Sequence, residues 1–217
     1  SMFSKLSQLF ATSQQSRQRQ KLTKPEYGFL FDSPPTNEWV SLDFEMTGLN
    51  PKTDHILSVG AVRLHRAEDA SMQIDTGNAL SLICRPPVMP SKETIVIHGL
   101  RPSDVEDGIS YDEMLPLLLE FIGNRPIVGF AVNRDIAFLN ALLKPWLGVS
   151  LPNPVLDVSV IEQQARQRKQ HQTDHAVEPK HLNVLLAEFG IPILPAHDAL
   201  NDAIMTAMLF IYLKDIH

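Results

Sequence analysis

The order of apolar runs constrains the fold of this chain more than any other feature. Three runs, Trp39–Phe44, His55–Leu64 and one within Ala79–Cys84, read as strands joined by turn-rich links. Links this short suit antiparallel pairing. The pattern then alternates. A helix is predicted near Tyr111–Ile122, a buried strand at Ile127–Phe130, a helix from about Asn133 to Leu143, and a short strand at Val155–Asp157. Helices follow through Glu162–Lys169, from about Lys180 to Phe189, and from Asp198 towards Lys214. Three strands followed by alternating strand and helix predict an α/β domain, a mixed five-stranded sheet flanked by helices. At 217 residues the chain can bury a core of its own.

Residues 1–37 read as an N-terminal extension rather than core, with the domain proper at 38–217. Met2, Leu6 and Leu9, beside Phe3 and Phe10, form an apolar stripe at helical spacing. Such a helix ordinarily packs on its own domain or frays in solution. Docking a protein partner or lying on a membrane surface is the alternative. Charge divides at the same place. The extension carries five cations and two acids, a net of +3, and the whole chain sums to −6, which leaves −9 for the rest. A domain this acidic is a poor non-specific binder of nucleic acid unless bound cations offset the charge.

Cys84 is the single cysteine, which excludes an intrachain disulfide, suits a reducing compartment, and is expected in the core. No apolar run approaches a membrane span, and the N-terminus lacks a continuous signal-peptide core. A cytoplasmic location is therefore expected.

The stretch Ser41-Leu42-Asp43-Phe44-Glu45 ends the first strand in two acids. Side chains alternate along a strand, so Asp43 and Glu45 share one face and Phe44 takes the other. A lone Asp-x-Glu is ordinarily a solvated strand end; the sharper reading is a pair of metal ligands. Further acids recur later. In His197-Asp198-Ala199-Leu200-Asn201-Asp202, Asp198 is a good N-cap, which places His197 just before the helix and Asp202 in its first turns. Those two positions usually meet through apolar contact. Here an imidazole and a carboxylate take their place, as a surface ion pair or as a catalytic pair. Asp135 follows the buried strand Ile127–Phe130 in an otherwise apolar segment. It either complements a helix N-terminus or lines a crevice at the carboxyl ends of the strands.

Taken together, Asp-x-Glu, Asp and His-x4-Asp resemble the DEDD superfamily of 3′–5′ exonucleases in its His-containing branch. That group includes the proofreading epsilon subunit of bacterial DNA polymerase III and oligoribonuclease. The resemblance covers roughly residues 38–215. Thr47-Gly48-Leu49, Ile97-His98-Gly99-Leu100, Val155-Leu156-Asp157 and Leu182-x2-Leu185 ahead of Gly190-Ile191 are similar as well. One departure is visible: Ala131-Val132-Asn133 precedes Asp135 where the family often has His-Asn.

The resemblance implies a ribonuclease H-like fold and two Mg²⁺ or Mn²⁺ ions, hard cations that prefer oxygen ligands, held about 3.5–4 Å apart. It implies that Asp43 bridges both ions, that Glu45 and Asp202 complete the first site, and that Asp135 supports the second. His197 would be the general base. Met46, Thr47 and His98 would hold the terminal nucleotide, although a turn-capping loop histidine is an equal reading of His98. The expected reaction releases nucleoside 5′-monophosphates from the 3′ end of single-stranded DNA. An exoribonuclease acting on RNA or short oligoribonucleotides, and a non-catalytic polymerase-associated module, are the alternatives. Phe138 is expected in the core. Arg166, Arg168, Lys169 and Lys180 are expected on a solvated helix face, or else along a nucleic-acid backbone. His171 and His175 lack the accompanying ligands of a zinc site.

Overall fold

The computed structural model describes residues 13–170 and 177–215. The expected apolar stripe at Met2–Phe10 and the pair His171 and His175 lie outside the described residues. Residues 13–20 are helical and exposed, and a 3₁₀ helix follows at Pro25–Phe31.

The sheet has five strands: β1 (Glu38–Met46), β2 (Ile56–Arg66), β3 (Met72–Ile83), β4 (Ile127–Gly129) and β5 (Val155–Asp157). Their order is β3-β2-β1-β4-β5. The first three pair antiparallel, as their short links predict, while β4 and β5 add in parallel. Beyond the helical residues 13–20, the described residues form seven further α-helices, labelled in chain order: α1 (Lys92–Ile97), α2 (Pro102–Glu106), α3 (Tyr111–Ile122), α4 (Asn133–Leu147), α5 (Val158–Lys169), α6 (Leu182–Glu188) and α7 (Ala199–Asp215). No helix among the described residues is long and apolar enough to cross a membrane.

Alternation along β1 divides the core into two layers. Val40, Leu42 and Phe44 face α3 and α4, packing with Leu118, Leu119, Phe138 and Leu139. Trp39 faces the other way, meeting Val62, Leu64, Leu185, Met205 and Phe210 beneath α6 and α7. Ser41, Asp43 and Glu45 share that second face, so a polar stripe on the central strand ends beside α7. Phe138 and Cys84 are buried, as expected.

Three departures from the sequence expectations bear on the core and the sheet. Tyr27 and Leu30 are buried in the main core, and the Tyr27 ring lies 5.3 Å from that of Trp146. Part of the segment read as lying outside the core therefore packs within it. β3 starts at Met72, well before Ala79: Met72–Asp75 already pair with Arg63–Arg66, and Thr76–Ala79, unpaired with β2, form a bulge between the two paired stretches. Within the bulge the Asn78 side-chain amide donates to the Asp75 carboxylate. Finally, α4 continues to Leu147 with Pro145 inside its last turn, and stops at Gly148 with φ +82°. A left-handed position of this kind favours glycine.

Candidate active site

Asp43 and Glu45 arrive on one face of β1, as the period of two dictates. Asp202 comes from the first turns of α7, where Asp198 caps the helix by accepting the Asn201 amide at 2.9 Å. Carboxylate oxygens of Asp43, Glu45 and Asp202 all lie within 4.8 Å of one another. The Oδ2 atom of Asp43 is buried and has no hydrogen-bond partner among the described residues. An ionised oxygen without water or a donor is costly. Three carboxylates around such an atom fit a hard divalent cation, whose preferred ligands are oxygens.

Asp135 enters from α4 and is 5% exposed. The turn that carries it is fixed by Asp157 at the end of β5. Its Oδ1 accepts the Ala131 amide at 3.0 Å and the Ser159 amide at 3.0 Å. Ala131 takes φ 50° to make that turn. Asp135 lies outside the three-carboxylate cluster yet within electrostatic reach of it.

The protonation equilibria follow from this crowding. Burial, then Asp135, Asp202 and Glu45 in turn, raises the Asp43 carboxyl well above its ordinary range. Burial and the Glu45 charge push Asp135 up to about 8. Asp202 is pushed up to about 6 by burial, Glu45 and Asp198, with the His197 imidazole opposing the shift. Asp43, Asp135 and Asp202, held close to one another and to the Glu45 charge, resist ionisation together.

His197 is exposed, stands immediately before the cap of α7, and has φ 61°. No hydrogen bond joins it to Asp202 among the described residues; the two interact through their charges. A cavity of about 430 Å³ opens beside it, lined by Asp43, Phe130, His181, Asn183, His197 and Asp202 among others. The sequence reading did not single out Phe130, His181 or Asn183. Only a fold that brings β4, α6 and α7 together makes them neighbours of the acids.

The residues expected to contact the nucleotide lie at the end of β1 and the C-terminus of α1. His98 caps the C-terminus of α1, and its Nδ1 is 2.8 Å from Oε2 of Glu45. The imidazole therefore orients a carboxylate of the site. Thr47 closes the β1–β2 link, its hydroxyl accepting the His55 amide at 2.9 Å. Met46 is the half-buried last residue of β1. Neither residue, nor His98, belongs to the lining of the cavity. Of the basic stretch, Arg166 is held by Glu162 at 2.6 Å and Lys180 by Glu188 at 2.8 Å, so both are committed to internal pairs.

The mixed five-stranded sheet gathers these carboxylates at the end of its central strand, a donor set suited to hard divalent cations. The chain belongs to the RNase T exonuclease family, whose profile matches residues 40–210. It is 30% identical over 173 residues to the PolC-type DNA polymerase III of Thermotoga petrophila, covering 80% of this chain and 12% of that protein. It is 25% identical over 173 residues to the DNA polymerase III epsilon subunit of Aquifex aeolicus, covering 80% of this chain and 78% of that one. The chain thus spans a small part of the PolC-type relatives and most of the epsilon subunit. Among solved structures, exonuclease I superposes with TM-score 0.66 at 17% identity, over 83% of this chain and 41% of that one. Escherichia coli exonuclease I bound to a dT13 oligonucleotide superposes with TM-score 0.62 at 18% identity, over 82% and 41%. These likenesses establish the shared fold.

Proposed function

We propose that this chain is a metal-dependent 3′–5′ exonuclease that releases nucleoside 5′-monophosphates from the 3′ end of single-stranded DNA. The observation that carries the reading is the cluster Asp43, Glu45 and Asp202 around a buried, unpartnered carboxylate oxygen. Asp43, Glu45 and Asp202 would hold one divalent cation, Mg²⁺ or Mn²⁺, and Asp135 with Asp43 a second. Bound there, such ions supply Lewis-acid stabilisation of charge on the phosphoryl oxygens and the leaving group.

The protein's own groups do the rest. His197, exposed at the mouth of the cavity, accepts a proton from the attacking water at an imidazole nitrogen. The water oxygen bonds to phosphorus, the bond from phosphorus to the 3′-oxygen breaks, and that oxygen leaves, taking a proton from solvent while His197 later returns its own to solvent. His98 holds Glu45 in orientation through Nδ1. The oligonucleotide bound by exonuclease I supports a single-stranded substrate for this fold. The polymerase names of the relatives support proofreading in partnership with a polymerase.

Matched, end-labelled single-stranded DNA and RNA, incubated with Mn²⁺ and with chelator, test the reading. Mononucleotides released stepwise from the 3′ end of DNA, and abolished by chelator, are expected. Preference for RNA would reassign the substrate, and chelator-resistant hydrolysis would refute the metal site.

A further inference from the structure

The first turn of α7 lies against β2 with no room for a side chain between them. Gly60 is the direct cross-strand partner of Asp43. Directly opposed residues project to the same face of a sheet, so Gly60 faces α7 beside Asp43. A Cβ at Gly60 would lie 2.5 Å from the carbonyl oxygen of Ala199, and nearer still to the Ala199 carbonyl carbon and the Leu200 nitrogen. Those are backbone atoms of the first turn of α7, two or three residues after His197 and two or three before Asp202. The helix start therefore rests on the bare α-carbon of Gly60. A second contact fixes the same helix from β1: the buried Ser41 hydroxyl donates to the Ala203 carbonyl at 2.6 Å. Ser41 shares the face of Asp43 and Glu45, and Ala203 is the residue after Asp202.

We infer that Gly60 and Ser41 are positioning residues that set the distance and register of His197 and Asp202 against Asp43 and Glu45. The inference rests on the proposed roles of those four residues. Gly60 sets the separation, because no other residue lets the helix backbone come this near. Ser41 sets the register, because one hydrogen bond ties a chosen turn of α7 to a chosen residue of β1. The magnitude is decisive. Non-bonded carbons pack at about 3.5–4 Å, so a methyl group at Gly60 forces α7 or β2 back by more than about 1 Å. Metal–ligand distances tolerate about 0.2 Å, and about 1 Å of misplacement costs on the order of 10²-fold in rate.

The test uses the full chain with Gly60→Ala, Ser41→Ala, Asp43→Asn and Gly148→Ala. The last serves as a control, since Gly148 is a strained position at the far end of α4, with φ +82°. Mn²⁺ binding is read by calorimetry, folding by circular dichroism and thermal melting in chelator, and kcat and KM on a short single-stranded oligonucleotide. Gly60→Ala is expected to stay folded, bind Mn²⁺ at least about tenfold more weakly, and lose about 10²-fold in kcat with little change in KM. Ser41→Ala should shift Mn²⁺ affinity in the same direction by less. Gly148→Ala should lower the melting temperature while keeping wild-type Mn²⁺ affinity. Wild-type Mn²⁺ affinity and kcat in Gly60→Ala would overturn the inference. If Gly60→Ala does not fold, Ser41→Ala decides, and wild-type Mn²⁺ affinity there overturns it. Undiminished Mn²⁺ binding by Asp43→Asn would instead bring down the metal-site reading beneath it.

Discussion

Replacing Asp135 by asparagine should stabilise the metal-free protein while impairing the enzyme. Asp135 is 5% exposed, and its carboxyl is pushed up to about 8 by burial and the Glu45 charge. In the unfolded chain it titrates near its usual value of about 4. A folded pKa above the unfolded one means that the native state binds more protons between those values. Its contribution to stability is present in full at low pH and is lost as pH rises from about 4 through about 8. At pH 7 the three-unit difference amounts to about 4 kcal/mol, at about 1.4 kcal/mol per unit. Asparagine keeps the shape and removes the charge, but burying an amide without good partners costs about 1–3 kcal/mol. The net gain at pH 7 is then about 2 kcal/mol, or about 4–8 °C in Tm for a chain of this size. At pH 5 the two terms nearly cancel. Melting curves in chelator at pH 5 and pH 8 measure the difference directly. An Asp135→Asn Tm at or below wild type at pH 8, or a shift of equal size at both pH values, would refute the reasoning. With Mn²⁺ added, the wild type should gain more Tm than the variant, since ligand binding to the native state alone stabilises it.

Three further outcomes follow from the same geometry. His197→Ala should lose about 10²–10⁴-fold in kcat at the wild-type pH optimum yet keep Mn²⁺ binding by calorimetry; an undiminished rate would assign the base elsewhere. His98→Ala should weaken Mn²⁺ binding by about 10–100-fold, the usual effect of losing a partner that orients a ligand, and His98→Gln should recover part of it; unchanged Mn²⁺ affinity would leave His98 as a cap of α1 and nothing more. Tyr27→Ala should destabilise by about 3–5 kcal/mol, as aromatic deletions in cores do, with kcat per folded molecule unchanged; a negligible drop in denaturant midpoint would show that Pro25–Phe31 adds nothing to the core.

Much of this protein was legible along the chain because its signals are local. Strand alternation puts Asp43 and Glu45 on one face whatever the rest of the molecule does. A side-chain oxygen three residues ahead of a free amide makes Asp198 a cap wherever a helix begins there. α3 and β5 have the predicted bounds, since apolar periodicity and the turns around them are properties of a dozen residues or fewer. Short elements escaped. α1 and α2, with six and five residues, are too brief to show a helical period, although Ser91 caps α1 by accepting the Thr94 amide.

The sequence by itself determined which chemical groups are available and the local direction in which each points. Three-dimensional packing alone decided which groups meet. Nothing near Gly60 in the chain announces that Ala199, far along the sequence, will rest on it, and nothing near His98 announces Glu45. Tyr27 reads as part of a Pro-flanked extension until Trp146 is placed against it. Proximity across such separations is set by how helices seat on a sheet, and a seat is made by missing atoms and single hydrogen bonds as much as by apolar patterns. Glycine at position 60 is one letter in the chain, whereas in the fold it is the space that lets Asp202 reach Asp43.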